Sequence, residues 1–314
     1  MRSIADLLHL LGRYAPQAML AGVFAGLLLP GLAGMLRPWL TPAVWVLLYL
    51  AMMRIAWGDL VARMRRPVLI VAIVVWMLVG SPLLMALILR GVDIRPGLEA
   101  AMILTAASSA LFSNPALGVM FGLDGALLLL VLVATTLLMP FTMPLLALSL
   151  LGFDMGVDPF AMMGRMSLLV LSAALAAVVT RKLIGSARVN ALATHMDGLA
   201  VVLLIIFAIG IMKGIAARLV SDPADIAMVT VLSFGLYVGM MVIASLVFMI
   251  IIPGTSRRDA LSAGFTTGAR NLALLLAALP ASVDSDLPLF FAIGQFPIYI
   301  MPIILKPVYR RLLR

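Results

Sequence analysis

The chain has 314 residues, of which 64 % are hydrophobic and only 11 % charged, and it contains no cysteine. Apolar blocks of about 20 residues recur along the whole length, which excludes a sizeable soluble domain, and the missing thiols exclude disulfides, thiolate metal sites and cysteine nucleophiles. Because these blocks are continuous rather than alternating, strand-based spanning is excluded too, and an all-α integral membrane fold is expected.

Ten spans are expected, at 17–35, 41–60, 68–89, 98–121, 125–150, 160–181, 197–213, 226–252, 260–281 and 288–307. The first follows Arg13 and is read as a retained helix rather than a signal peptide, because of its length and the Pro30-Gly31 break. The second carries Arg54 about six residues, or roughly 9 Å, from its inner end; the side chain either snorkels to the interface or faces a substrate path. Asp59 and Asp124 stand at span ends beside glycines, where capping or an interfacial location is the expected role. The fourth span reads Thr105, Ser108, Ser109, Ser113, Asn114, Pro115 before an apolar run, and the fifth carries Pro140 and Pro144. His9 and His195 fall in or near inner segments and are read as solvated, while Asp154, Asp158, Asp222, Asp225, Asp284 and Asp286 fall in outer loops. The methionines and Trp39, Trp45, Trp57 and Trp76 are read as lipid contacts and interface anchors.

The ninth span reads Ser262, Gly264, Thr266, Thr267, Gly268, Arg270, Asn271 and then an apolar run. Arg270 lies about twelve residues beyond the Arg257-Arg258 pair, hence about 18 Å into a hydrocarbon core roughly 30 Å thick. Burying such a charge is costly, so an intramembrane arginine is read as functional and a negative partner is sought. No acidic residue is well placed to be that partner. The guanidinium therefore either meets a transported anion or stands as a fixed substitute for a bound cation.

The formal charge of +9 is an orientation signal and not a nucleic-acid signal. With the N-terminus inside, most basic residues, among them Arg63, Arg65, Arg66, Arg181, Lys182, Arg257, Arg258, Arg310 and Arg311, share one face. Arg37, Arg90, Arg95, Arg165, Lys213 and Arg218 take the other. Both termini are thus expected on the cytoplasmic side of a cell (inner) membrane.

An internal repeat is visible. Asn114 and Asn271 are 157 residues apart, half the chain length, and so are Pro140 and Pro297; Pro144 and Pro302 are 158 apart. Two halves, 1–157 and 158–314, of five spans each would enter the bilayer from opposite sides, as in carriers whose sites sit on interrupted helices near the midplane. Asn114 before Pro115 and Asn271 before Leu272 are suited to cap half-helices whose positive ends point into a crossing. The competing reading of each polar cluster is helix packing or a simple kink.

Over about 300 residues the chain resembles the bile acid:sodium symporter family, within the bile acid, arsenite and riboflavin transporter superfamily. The residues that carry the resemblance are Gly58 to Pro67 (GDLVARMRRP), Ser113-Asn114, the prolines of the fifth span, and Gly268-Ala269-Arg270-Asn271. The resemblance implies ten helices, a panel and a core domain, crossing helices 4 and 9, and alternating access with substrate bound between the domains. It also implies sodium ligands that are absent here: Thr266 stands where the symporters carry Glu, Arg270 where they carry Gln, and Leu127 and Val131 where they carry hydroxyls. Sodium is therefore not expected as a cofactor, since Arg270 would repel it. An arsenite carrier is similar but relies on a thiol that this chain lacks.

The function expected is a secondary carrier of a small organic anion, symporter-like or facilitative. Ser113, Asn114, Thr266, Thr267, Arg270 and Asn271 would bind the substrate, and Arg54, Thr105, Ser108 and Ser109 would line its path. The alternatives are a membrane receptor built on a carrier fold, and a sodium-coupled symporter with a rearranged ion site. An enzyme is not expected, because no nucleophile with a base, paired carboxylates or metal cluster lies in the spans.

Overall fold

The structure, a computed structural model, describes residues 15–55, 66–152, 158–279 and 285–313. Most of the Gly58 to Pro67 motif, together with His9, Trp57, Asp59, Asp154 and Asp284, lies outside the described residues. In chain order the helices are α1 (Ala15–Leu28), α2 (Pro30–Leu36), α3 (Leu40–Met53), α4 (Pro67–Val75), α5 (Ser81–Leu89), α6 (Pro96–Ala107), α7 (Asn114–Phe121) and α8 (Gly125–Leu151). They continue as α9 (Pro159–Ile184), α10 (Ser186–Ala191), α11 (Ala193–Ile211), α12 (Ile215–Ser221), α13 (Pro223–Ile250), α14 (Arg257–Gly268), α15 (Leu272–Ala278), α16 (Asp286–Ile293) and α17 (Gln295–Leu312). Among the described residues there is no strand, only a single antiparallel bridge between Ala110 and Arg270.

Among the described residues seven helical stretches are long and apolar enough to cross a membrane: Pro30–Met53, Pro67–Leu89, Gly125–Leu151, Pro159–Ile184, Ala193–Ser221, Pro223–Ile250 and Asp286–Leu312. The other expected spans are the interrupted ones. The first breaks at Leu29, before Pro30, and the fourth and ninth are each split into two half-helices too short to cross alone. Conversely, the loop expected between the first two spans is a single 3-10 turn, Arg37–Trp39, through which the helical run continues into α3. The prolines behave unequally: α8 runs unbroken through Pro140 and Pro144.

The chain divides into two compact units, and these are not the two sequence halves. One comprises 1–60 and 167–226, the other 61–166 and 227–314. In the first unit α11 packs against α1, α2 and α3. Glycine permits the close approach: a Cβ at Gly26 would lie 2.6 Å from the Ile209 carbonyl oxygen and 2.9 Å from Met212 Cβ. Trp45 Nε1 donates to Ser172 Oγ (2.9 Å), tying α3 to α9, and the Trp45 and Tyr49 rings stack with centroids 5.9 Å apart. At the end of α3, Arg181 Nη1 donates to the Met53 carbonyl (2.7 Å), satisfying one of the acceptors a helix terminus leaves open.

The second unit packs α6 against α5, α8 and α16, and α7 against α8, α14 and α17. Its core includes a cluster of three buried aromatic rings from three helices, Phe121, Phe265 and Tyr309, with centroids 5.2 to 6.0 Å apart. Helix α14 lies close against α13 because Gly264 and Gly268 share one face. A Cβ there would stand 2.5 Å from the Met241 carbonyl oxygen and 2.6 Å from that of Tyr237, respectively. Asp124 caps α8 by accepting from the amides of Ala126 and Leu127, as its position beside Gly125 suggested. At the start of α14, Ser256 and Asp259 form a reciprocal cap, each accepting from the other.

Candidate functional site: a crossing of two interrupted helices

Helix α6 ends at Ala107 and α14 at Gly268; beyond each the backbone is extended, with Ser108 at φ −76°, ψ 161° and Ala269 at φ −89°, ψ 94°. An extended peptide in an apolar interior exposes donors and acceptors that must find partners. Here the two peptides satisfy each other: Leu111 N donates to the Ala269 carbonyl (3.1 Å) and Asn271 N to the Ser109 carbonyl (2.9 Å). The remaining amides turn to α8, Ala110 N donating to Thr135 Oγ1 (3.2 Å) and Ser109 N to Met139 Sδ (3.1 Å). The helix breaks are thus one mutual pairing rather than two independent kinks.

The two asparagines play different parts. Asn271 caps α15 as expected, its Oδ1 accepting from Leu274 N (3.3 Å). Asn114 does not cap: Ser113 holds the N-cap position of α7 without a side-chain hydrogen bond, and Asn114 is the first helical residue, beside Pro115. Its Nδ2 reaches across to donate to Thr266 Oγ1 (3.1 Å) and to the Ala269 carbonyl (3.0 Å). Released from capping, the side chain ties the first interrupted helix to the second.

Arg270 is 3 % exposed and its guanidinium is turned inward, onto oxygens of the protein. Nε donates to the Thr267 carbonyl (2.6 Å), Nη1 to the carbonyls of Ser108 (2.7 Å) and Met77 (3.2 Å), and Nη2 to Ser81 Oγ (2.7 Å). Of the five N–H donors of an arginine fork, four are therefore used, and one on Nη2 is left. Thr267 and Ser108 stand at the C-terminal ends of α14 and α6, where unpaired carbonyls carry the negative end of the helix dipole. The expectation from sequence looked to the positive ends of the half-helices; the structure places the charge on the negative ends, where it is electrostatically matched.

The Met77 carbonyl is available for a definite reason. Residues Trp76–Gly80 form a π turn in which Ser81 N donates to the Trp76 carbonyl. In that register the next donor, to Met77, would be the amide of residue 82, and residue 82 is proline. The orphaned carbonyl accepts instead from Ser81 Oγ (3.0 Å) and Arg270 Nη1.

On the two interrupted segments and α8, four buried side-chain atoms have no protein partner among the described residues: Ser109 Oγ, Asn114 Oδ1, Thr136 Oγ1 and Asn271 Nδ2. They offer an amide donor, an amide acceptor and two hydroxyls, all on neutral groups. Thr105, Ser108 and Thr267 are instead self-satisfied, their hydroxyls donating to the carbonyls of Ala101, Thr105 and Ala263. Thr266 accepts from Asn114, and Ser113 is half-buried. Arg54 belongs to the other unit, at the C-cap of α3, and pairs with Asp197 with both side chains about half exposed (49 % and 46 %). A small cavity of about 20 Å³ adjoins the crossing, lined by Thr105, Ser233, Tyr237, Thr267, Arg270 and Phe290 among others, with room for about one ordered water.

Sequence reading missed Ser81, Thr135, Thr136 and the Met77 carbonyl. The signals were present as Gly80-Ser81-Pro82 inside the third span and Thr135-Thr136 inside the fifth, both breaks in otherwise apolar runs. Leu127 and Val131 are buried apolar residues of α8.

Fold and site together define an all-helical apolar bundle, compatible with a membrane transporter, in which two interrupted helices exchange backbone hydrogen bonds around a buried arginine. No family model matches the chain, and no curated protein is significantly similar to it.

Proposed function

We propose that this protein is a secondary carrier of a small organic anion, working by alternating access in a cell membrane. It would be a divergent relative of the bile acid:sodium symporters in which a side chain does the electrostatic work of the ion. On this reading ten helices cross the bilayer with both termini cytoplasmic, and 1–157 and 158–314 are inverted five-helix repeats. Two features support the repeat: the interruptions fall at matching places in the two halves, and each compact unit takes one segment from each half.

The observation that carries the proposal is the setting of Arg270. Its guanidinium is buried, makes no ion pair among the described residues, and donates to three carbonyls and a hydroxyl. Carbonyl and hydroxyl oxygens are the ligands a hard cation takes. A covalently held cation at this place stabilises the negative helix ends permanently, and a sodium ion brought to the same oxygens would be repelled by it. The four unpartnered atoms on Ser109, Asn114, Thr136 and Asn271 supply neutral hydrogen-bonding groups for the substrate. Four of the five N–H groups of the fork are committed to the protein, so the anion is drawn chiefly by the field of Arg270 rather than gripped by it. At about 7 Å and an effective dielectric constant of about 20, that attraction is on the order of 2 kcal/mol.

The test is uptake of labelled carboxylates and sulfonates into proteoliposomes with sodium replaced by choline, together with counterflow. Unchanged uptake in choline is expected. A strict sodium requirement would show that the ion site has been rearranged rather than replaced, and binding without counterflow would identify a receptor.

A further inference from the structure

The charges buried in this protein do not balance, and the imbalance has a transport consequence. Among the described residues four ionisable side chains of Asp, Glu, Lys, Arg or His type are buried: Asp225, Asp259, Asp286 and Arg270. Each carboxylate meets an arginine, Asp225 with Arg218 (3.3 Å), Asp286 with Arg95 (3.2 Å) and Asp259 with Arg66. Arg270 alone meets none. Ser81, whose hydroxyl accepts from it, and Thr105, Ser233, Tyr237 and Thr267, which line the adjoining cavity with it, are all neutral. The crossing therefore holds one positive charge that is part of the chain and does not leave with a ligand.

We infer that the crossing selects singly charged anions and moves them electrogenically, so that at an interior-negative potential net flux of the substrate is outward. The inference rests on the carrier reading above and adds the valence of the substrate and the direction of net flux. A monoanion bound near Arg270 makes the loaded site neutral, the state cheapest to carry through a low-dielectric barrier. A neutral solute leaves the charge uncompensated, and a dianion replaces one unpaired charge by another of opposite sign. Because the compensating cation is part of the chain, it returns with the empty carrier, and each cycle transfers one negative charge with the substrate. A carrier that takes up a dissociable cation with its anion has no such obligation. Each 100 mV acts on one elementary charge with about 2.3 kcal/mol, equivalent to about a 50-fold concentration ratio at equilibrium. This bias holds whichever way the protein is inserted.

The experiment uses the full chain in proteoliposomes with the potential set by potassium gradients and valinomycin. The probes are labelled pyruvate and methanesulfonate as monoanions, succinate as a dianion and alanine as a neutral solute, all in sodium-free buffer. Zero-potential counterflow of a monoanion tests the carrier reading by itself. The expected result is counterflow of the monoanions in preference to succinate and alanine, and net flux that follows the potential, accumulation approaching about 50-fold towards the positive side at 100 mV. Arg270→Lys should keep the direction of this dependence at lower rate, whereas Arg270→Gln, neutral but still able to donate to the carbonyls, should lose the monoanion preference. Counterflow with potential-independent net flux, or equal flux of succinate, would overturn the inference and leave the carrier reading standing. Failure of all four probes to exchange at any potential would overturn both.

Discussion

Replacing Arg270 by alanine removes the group that holds three chain segments together at the crossing, and its cost can be worked through contact by contact. The carbonyls of Thr267 and Ser108 lose the guanidinium and have no other side-chain donor. The Met77 carbonyl keeps a share of the single Ser81 hydroxyl proton, which is divided between it and the Ala106 carbonyl. Two buried acceptors are therefore orphaned, at about 1 to 3 kcal/mol each. Against this stands the relief of no longer burying an unpaired charge, which offsets part of the loss, and a water entering the adjoining cavity would satisfy one carbonyl. A net destabilisation of about 2 to 4 kcal/mol is expected, enough to lower the melting temperature in detergent by several degrees without abolishing folding. Transport should fall much further than stability does, because the field that attracts the anion is gone. The assay pairs thermal unfolding of the purified variant with counterflow in liposomes. A variant as stable as the parent, or one that exchanges anions at the parental rate, would show that the guanidinium is neither a bridge nor the source of the field.

Other expectations follow from the same geometry. Pro82→Ala restores an N–H that competes for the Met77 carbonyl, so the π turn should gain one hydrogen bond and Arg270 lose one acceptor; a double-mutant cycle with Arg270→Ala should give a coupling of about 0.5 to 2 kcal/mol, and additivity would refute the link. Thr136→Val removes a buried hydroxyl that has no protein partner, so stability should hold or rise slightly while the affinity for a monoanion falls roughly tenfold, about 1.4 kcal/mol. An unchanged binding isotherm would remove Thr136 from the site. Gly26→Val places a side chain where even a Cβ would lie 2.6 Å from the Ile209 carbonyl oxygen; a loss of about 1 to 3 kcal/mol is expected in thermal unfolding, and a neutral result would show that α1 and α11 are free to separate.

Composition alone determined that this is an all-helical apolar protein, because 64 % hydrophobic residues in continuous blocks leave no surface for a soluble fold and no period for a barrel. It also marked where the helices fail: small and polar residues before Asn114 and Asn271, at half-chain spacing, coincide with the two interruptions of α6–α7 and α14–α15. What a side chain does at such a break was not legible, because it depends on which acceptors arrive from elsewhere in the chain. Asn114 has the local signature of a cap, yet a Thr266 hydroxyl and an Ala269 carbonyl, more than 150 residues away, take its amide instead. Asp225 and Asp286 read as loop acids and are buried against Arg218 and Arg95. Arg270 was conspicuous in the sequence as a charge without a partner. Only the tertiary structure decided that its partners are the carbonyl ends of two broken helices and a carbonyl freed by Pro82, since backbone acceptors are the same at every residue and folding alone selects which of them are left open.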